Sequence, residues 1–232
     1  MPRTQHETPL RLGPYYTKGI RFRETAKAIE ETSPHSVLNI GCQYGYLELV
    51  LPDEMRVLSI DVLPDALEMA KAVNAGKPNR EFKLLDLFDL PRTVPAASFG
   101  AVVMSEVTEH LEDDLAAMHV AKDCLRPGGT LFLTVPSLTR FPNRLRRLMG
   151  KKPTYMTPNH LREYTVESGR ELAERAGFEV QRIVGLDFRL PNDVFMRRFV
   201  PIDFPPRHWL ATRWPGIATY VLYVCRKPEG GG

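Results

Sequence analysis

Residues 37–46 read VLNIGCQYGY, and this stretch decides how the rest of the chain is read. Val37, Leu38 and Ile40 form a short apolar run of the kind that makes a buried strand, and Gly41 and Gly45 mark the turn that follows. Two glycines four apart at a strand-to-turn-to-helix junction allow close backbone approach to a nucleotide-like ligand, with helix N–H groups aimed at it. Alone, the pair is a weak signal. Two residues are also out of pattern, since an acid is expected at Asn39 and a further glycine at Gln43.

The flanking segments strengthen the reading. Strands are predicted over 36–41, 55–60 (MRVLSI), 81–86 (EFKLLD), 99–105 and 130–136. Between them lie helices 45–51, 64–75 and 111–126, the last stopped by Pro127-Gly128-Gly129. This alternation predicts a parallel sheet covered on both faces, with ligands beyond the carboxyl ends of the strands. Gly41, Asp61, Asp86 and Ser105-Glu106 all fall at such ends. Asp61 stands 20 residues after Gly41 and is placed to accept both hydroxyls of a ribose. The competing reading makes it a cap for helix 64–75, which Pro64 opens. Asp86 is placed to receive an adenine amino group; Asp89 competes with it, and a solvated turn carboxylate is the alternative. A charged helix over 17–31 precedes the run. Helix 165–176, with Thr165 as N-cap and Gly177 at C′, strand 178–184 and strand 217–225 follow it.

Composition bounds the class. The 232 residues fit one domain, 1–232, and the 43% apolar and 25% charged content is that of a soluble globular protein. A formal charge of +3 is too small to imply nucleic acid. Cys42, Cys124 and Cys225 are too scattered for a disulfide framework or zinc cluster, so a reducing interior is expected. MPRTQHETPLRLG lacks the apolar core of a signal peptide, and no run approaches the roughly 20 apolar residues of a membrane span. The expectation is a cytoplasmic protein.

The order VLNIGCQYGY, LSIDVLPDALEMA, LLDLFDLP, FGAVVMSEVTEHLED and LRPGGTLFLTVPS resembles the class I S-adenosylmethionine-dependent methyltransferases over about residues 35–137. NHLREYTVESGRELAERAGFEV extends the match to about 185. The resemblance implies a Rossmann-like α/β fold, a seven-stranded sheet in the order 3-2-1-4-5-7-6 with the last strand antiparallel, and a cofactor-binding core over 17–137. It implies that Gly41 and Gly45, with Asn39 and Gln43 in the same loop, face the methionine part of S-adenosylmethionine. Asp61 and Val62 go to the ribose, Asp86 and Leu87 to the adenine side, and Ser105 to the backbone near the reacting methyl. The family usually has an acid where Asn39 stands, which helps hold the cofactor's amino group. Asn keeps a carbonyl acceptor and loses the charge, at roughly 1–2 kcal/mol. Gln43 is penalised by about 1–2 kcal/mol if its position needs positive φ.

The chemistry is expected in Ser105-Glu106-Val107-Thr108-Glu109-His110. In a helical turn Glu106, Glu109 and His110 share one face. With His160 of the Pro158-Asn159-His160 loop as a fourth ligand, they suit Mg²⁺ or Mn²⁺. Otherwise His110 is a metal-free base, or Glu109-His110 simply begins helix 111–126. The cluster is similar to that of the ubiquinone-biosynthesis O-methyltransferases and of the small-RNA terminal 2′-O-methyltransferases. In both the implied acceptor is oxygen, with Glu109, His110 and His160 as the catalytic set.

Segments 138–164 and 186–215 follow strands five and six and are expected to lie over the methyl as acceptor-side insertions, the first a basic lid. Residues 138–164 hold Arg140, Arg144, Arg146, Arg147, Lys151, Lys152 and Arg162 against the single acid Glu163. FPNRLRRLMGKK fits a short amphipathic helix, whose arginines point to a phosphate-bearing, carboxylate or membrane-associated acceptor, or form a solvated face. Phe188, Phe195, Phe199, Phe204, Trp209 and Trp214 either line an apolar pocket or form the core beneath a loop. His208 reads as a surface or packing residue. The leading expectation is O-methylation of a small or lipid-like acceptor, with an anionic one an option. Its rivals are a metal-dependent RNA ribose 2′-O-methyltransferase and a non-catalytic cofactor-binding partner protein, the latter motivated by Asn39 and Gln43.

Overall fold

The computed structural model describes residues 19–191 and 204–230. Phe195, Phe199 and the middle of the 186–215 segment lie outside these described residues, as do residues 17 and 18 of the first predicted helix. In chain order the elements are α1 (Ile20–Thr32), β1 (Ser36–Ile40), α2 (Tyr46–Val50), β2 (Arg56–Asp61), α3 (Pro64–Val73), β3 (Arg80–Leu84), α4 (Leu90–Thr93), β4 (Phe99–Ser105), α5 (Asp114–Cys124) and β5 (Leu125–Pro136). Then follow α6 (Phe141–Leu148), α7 (Val166–Arg175), β6 (Glu179–Leu186), α8 (Pro205–Arg213) and β7 (Tyr220–Arg226).

Residues 37–40 of β1 are all buried because the strand lies between two neighbours and under two helical layers. Its alternating side chains feed separate cores. Val37 joins Val57, Val103 and Phe132 beneath Ile29 of α1 and Leu47 of α2. Leu38 and Ile40 join Ile60, Met104 and Leu133 on the other face, beneath Met118 of α5 and Leu172 of α7. The seven strands run in the order 3-2-1-4-5-7-6, as the family resemblance implied. β1 to β5 pair in parallel, while β7 is antiparallel to both β5 and β6.

The strands expected over 81–86 and 217–225 are found at Arg80–Leu84 and Tyr220–Arg226, and two further boundaries depart for a visible reason. Pro127-Gly128-Gly129 was expected to stop a helix, but α5 already ends at Cys124 and β5 begins at Leu125, opposite Phe99. The register shift between Phe99 and Ala101 absorbs the Gly-containing stretch as a bulge. α5 also begins at Asp114, later than residue 111. The Asp113 carboxylate accepts from Ala116 N at 2.8 Å and sets that start.

α7 begins where the sequence places it. Thr165 Oγ1 accepts from Ser168 N at 3.1 Å, and Ser168 Oγ accepts from Thr165 N at 2.9 Å, a reciprocal cap. Gly169 inside this helix packs on the fully buried Tyr223 ring; a Cβ there would sit 2.4 Å from the Tyr223 hydroxyl oxygen. Alanine gains about 1 kcal/mol of helix propensity over glycine, but a buried ring pinned to the Val166 carbonyl at 2.9 Å has no room to yield. Gly169→Ala is therefore expected to lower stability by about 1–3 kcal/mol in urea unfolding, against the propensity trend.

Candidate active site

The turn after β1 is pinned to β2. Gly41 N and Cys42 N both donate to the Ile60 carbonyl, at 2.9 and 3.1 Å. Gly41 has φ +75°, and a Cβ on it would lie 2.6 Å from Val107 Cγ2. Gly45 has φ +70° and an equally close neighbour in the Asn74 amide, which donates to the Gly45 carbonyl at 2.9 Å. Both glycines answer to the backbone and to packed neighbours. Gln43 also has positive φ, +48°, so the anticipated strain is present. Its N–H donates to Asp61 Oδ2 at 2.7 Å, while Asp61 Oδ1 accepts from Leu63 N at 3.0 Å. Asp61 thus organises the approach to α3 and the strained turn together. Each of its oxygens retains a lone pair.

Asn39 is buried in β1, and its Nδ2 donates to Glu48 Oε1 at 2.7 Å. Glu48, on α2, is wholly buried and also accepts from the Ser59 hydroxyl. Burial pushes its carboxyl above the usual range, against the hydrogen bonds from Ser59 and Asn39. Glu48 was not singled out in the sequence; the one available signal is an acid inside the apolar turn Tyr-Leu-Glu-Leu-Val, nine residues after Asn39. Asn39 Oδ1 is buried without a hydrogen-bond partner, in a residue that lines a cleft.

That cleft, about 730 Å³, lies beyond the carboxyl ends of the parallel strands. Asn39, Gly41, Gln43, Asp61, Val62, Asp86, Leu87 and Ser105 line it. Gly45 does not; it sits behind the turn against Ala70 and Asn74. Asp86 caps a short turn by accepting from Phe88 N at 2.8 Å, whereas Asp89 pairs with Arg92 away from the cleft.

The other wall is built from the end of β4. Glu106 has φ +59°, and its Oε2 lies 3.8 Å from Arg21 Nη1 of α1. The 3₁₀ turn Thr108–His110 then buries Glu109 completely and leaves His110 exposed. The Glu109 carbonyl accepts from Leu161 N at 2.9 Å, which fixes the 157–161 loop against this turn. His110 Nδ1 faces the Asn159 carbonyl at 3.3 Å, and its ring stands edge-on to His160 with centroids 4.9 Å apart. A carbonyl only accepts, so Nδ1 carries the proton and Nε2 keeps a lone pair. Desolvation, then the neighbouring His160, holds the His110 pKa below its usual value.

His160 sits between two carboxylates. Its Nδ1 is 3.1 Å from Glu163 Oε1 and its Nε2 is 3.9 Å from Glu109 Oε1. Glu163 is further held by Arg140 and by the Met156 N–H. Arg21, from α1, was not foreseen as part of the site, and Arg140 and Glu163 were expected only as charges of the 138–164 segment, not as partners of His160. Ligand atoms from Glu109, His110 and His160 lie within 4.8 Å of one another. Glu106, the fourth expected ligand, is outside that group and turns to Arg21. Both Glu109 oxygens are buried without a hydrogen-bond partner, the condition of a carboxylate that is either protonated or meant for a cation. Burial raises the Glu109 pKa to about 7. Burial, and then Glu109, pushes Glu106 well above the carboxylate range.

Seven strands in this order, with the cleft over the carboxyl ends of the parallel ones, define a Rossmann-like α/β protein. The methyltransferase-domain family matches residues 16–183, and the chain belongs to it, within the class I S-adenosylmethionine-dependent group. A probable S-adenosylmethionine-dependent methyltransferase of Mycolicibacterium smegmatis is 34% identical over 151 residues, 65% of this chain and 54% of that one. The ubiquinone biosynthesis O-methyltransferase of Xanthomonas campestris is 33% identical over 108 residues, 46% of this chain and 44% of that one. The chain spans about half the length of the curated relatives it matches. Among solved structures, N-methyltransferase NodS from Bradyrhizobium japonicum, in complex with S-adenosyl-L-homocysteine, shares the fold at TM-score 0.60 and 18% identity. It covers 97% of this chain and 94% of that one. The [4+2]-cyclase SpnF shares it at TM-score 0.62 and 21% identity, over 90% of this chain and 81% of that one. The fold therefore leaves the reaction open, and the site must supply the argument.

Two expectations test this electrostatic layout. Asn39→Asp, which restores the acid usual in the family, sets a second carboxylate against buried Glu48. It should lower stability at pH 8 by about 1–3 kcal/mol, and Glu48→Gln in the same chain should recover most of the loss, both read in urea unfolding. For Glu109, the folded chain holds the proton up to about pH 7 and the unfolded chain only to about 4.5. Between those values the native state binds more protons, so stability falls as pH rises and the penalty is full above pH 7. Glu109→Gln should therefore be more stable than the parent at pH 8, on the order of 1–3 kcal/mol, with the gap closing toward pH 4.5.

Proposed function

We propose that this chain is an S-adenosylmethionine-dependent O-methyltransferase whose acceptor is a small or lipid-like hydroxyl compound, with His110 as the base. The observation that carries the reading is the His110 tautomer. Its proton is committed to the Asn159 carbonyl, which leaves Nε2 unprotonated on a ring that lines the cleft together with Ser105 and Glu106. S-adenosylmethionine, when bound, supplies a sulfonium methyl that an acceptor oxygen attacks. The residues present fit that group: the unpartnered Asn39 Oδ1 suits an ammonium, and the free lone pairs of Asp61 suit ribose hydroxyls.

A hydroxyl is a poor nucleophile until a base takes its proton. His110 Nε2 accepts that proton as the methyl ether forms, and Asn159 keeps the ring oriented throughout. The edge-on His160, held by Glu163, which Arg140 holds in turn, packs against the ring. The relatives named for ubiquinone biosynthesis support an oxygen acceptor of lipid character.

The two orphaned oxygens of Glu109 favour a second, metal-assisted version of the same reaction. Glu109, His110 and His160 would hold Mg²⁺ or Mn²⁺, which lowers the pKa of a hydroxyl it touches.

His110→Ala should cut kcat about 10²–10⁴-fold in radiolabelled methyl transfer to hydroxylated aromatic acceptors, with S-adenosylhomocysteine affinity by calorimetry within about threefold of the parent. Because the His110 pKa is lowered, the acid limb of the rate should lie below pH 6.5. Unchanged turnover in the variant, or no heat with S-adenosylhomocysteine, defeats the proposal. A rate that survives chelation assigns His110 as base, and a rate lost to chelation and regained with Mn²⁺ assigns the metal.

A further inference from the structure

We propose that the outer face built by α6 and by the Trp209–Trp214 pair is a docking surface for an anionic lipid membrane. The inference goes beyond the methyl-transfer reading and stands independently of it. Its first observation is a stripe of apolar side chains that starts inside the protein and ends outside it. Phe141, Leu145, Leu148 and Met149 fall at i, i+4, i+7 and i+8, one face of α6 and the turn after it. Phe141 packs on Phe188, with ring centroids 5.1 Å apart, in a small core with Ala211 and Ala218. From there the stripe leaves the core: Leu145 is 38% exposed, Leu148 85% and Met149 59%.

The neighbouring segment repeats the pattern. Trp209 and Trp214, the chain's two tryptophans, are 59% and 46% exposed and stand edge to face at 5.4 Å. Arg144 Nε donates to the Gly216 carbonyl at 3.1 Å and ties α6 to this segment. Arg144, Arg146, Arg147, Lys151 and Lys152 flank the stripe in sequence and Arg213 lies over the Trp214 ring, and among the described residues none of the six pairs with a carboxylate. Residues 138–162 and 204–218 contain no acid at all.

Charge and apolarity together select the occupant. A polyanion such as RNA satisfies the cations and stacks on tryptophan but leaves Leu148 and Met149 in water. A second copy of this face would set six cations against six. An anionic bilayer accepts both: leucine and methionine enter the acyl boundary, tryptophan sits at headgroup level, and arginine and lysine reach the phosphates. The surface is also joined to the cleft. Asn143 of α6 exchanges two hydrogen bonds with Thr154, Nδ2 to the carbonyl at 3.0 Å and Oδ1 from the N–H at 3.1 Å. The segment that follows carries Met156 and His160 into the cleft wall.

The test is sedimentation of the full chain with vesicles of phosphatidylcholine alone or with about 30% phosphatidylglycerol, alongside tryptophan emission. The expected result is about tenfold or greater preference for the anionic vesicles, weakened by salt, with a blue shift from Trp209 and Trp214. Leu148→Glu with Met149→Glu should reduce binding about tenfold or more while leaving the far-UV circular dichroism and S-adenosylhomocysteine affinity unchanged. The proposal is overturned by equal partition to both vesicle types or by a double variant that binds as the parent does. Tighter binding to a short RNA than to vesicles overturns it, as does a dimer that dissociates in the double variant. Loss of methyl transfer with intact vesicle binding would sink only the enzymatic reading.

Discussion

A single carboxylate holds the strained turn on which the cleft is built. Gln43 adopts left-handed backbone at a cost of about 1–2 kcal/mol. Its N–H donates to Asp61 Oδ2, a hydrogen bond to a charged acceptor of about 1.5–3 kcal/mol. The two terms are of similar size, so a non-glycine residue is tolerated there. The same carboxylate sets Leu63 and hence the entry to α3. With Gly41 and Cys42 also anchored on Ile60, the turn has one available path between β1 and α2. That path puts the Asn39 carbonyl and Asp61 in the same cleft wall.

The departure at position 39 gains a physical account from this geometry. Asn39 is the hydrogen-bond donor that a buried Glu48 requires, together with Ser59. An acid at 39 would leave two carboxylates facing each other without water, and one would have to stay protonated. The carboxyl group has in effect moved from the strand to the first turn of α2, and the amide oxygen has been left as an unpartnered acceptor. Asn39 and Gln43 thus belong to a consistent local arrangement.

The sheet was legible because parallel strands buried on both faces must be apolar along their length, as Val-Val-Met in β4 and Leu-Phe-Leu in β5 are. Strand ends were legible too, since Gly41, Asp61, Asp86 and Ser105 punctuate those runs. What escaped was anything made by tertiary contact. Glu48 meets Asn39 and Ser59 only after three elements converge, and its apolar neighbours in Tyr-Leu-Glu-Leu-Val hint at burial without naming those partners. Glu163 and Arg140, 23 residues apart, become partners because the Ser137–Tyr164 bridge closes the intervening loop. The Gly128-Gly129 stretch misled for the opposite reason: its local signal is that of a stop, and pairing with β4 overrides it.

The burial of the acids around the cleft mouth connects stability to chemistry. Glu106, Glu109 and Glu163 are drawn into low dielectric, with Arg21, Arg140 and Arg189 as the cations near them. Burial favours protonated Glu106 and Glu109, so the folded chain alone is poorly disposed toward their ionised forms. A cation arriving among them reverses that preference, because the attraction lost to water elsewhere is retained here. A sulfonium, a divalent ion and an imidazolium formed by proton uptake at His110 all carry the needed sign. The arrangement that weakens the apoprotein at neutral pH is therefore the one that would stabilise positive charge during the proposed reaction, as expected where stability and function compete for the same residues.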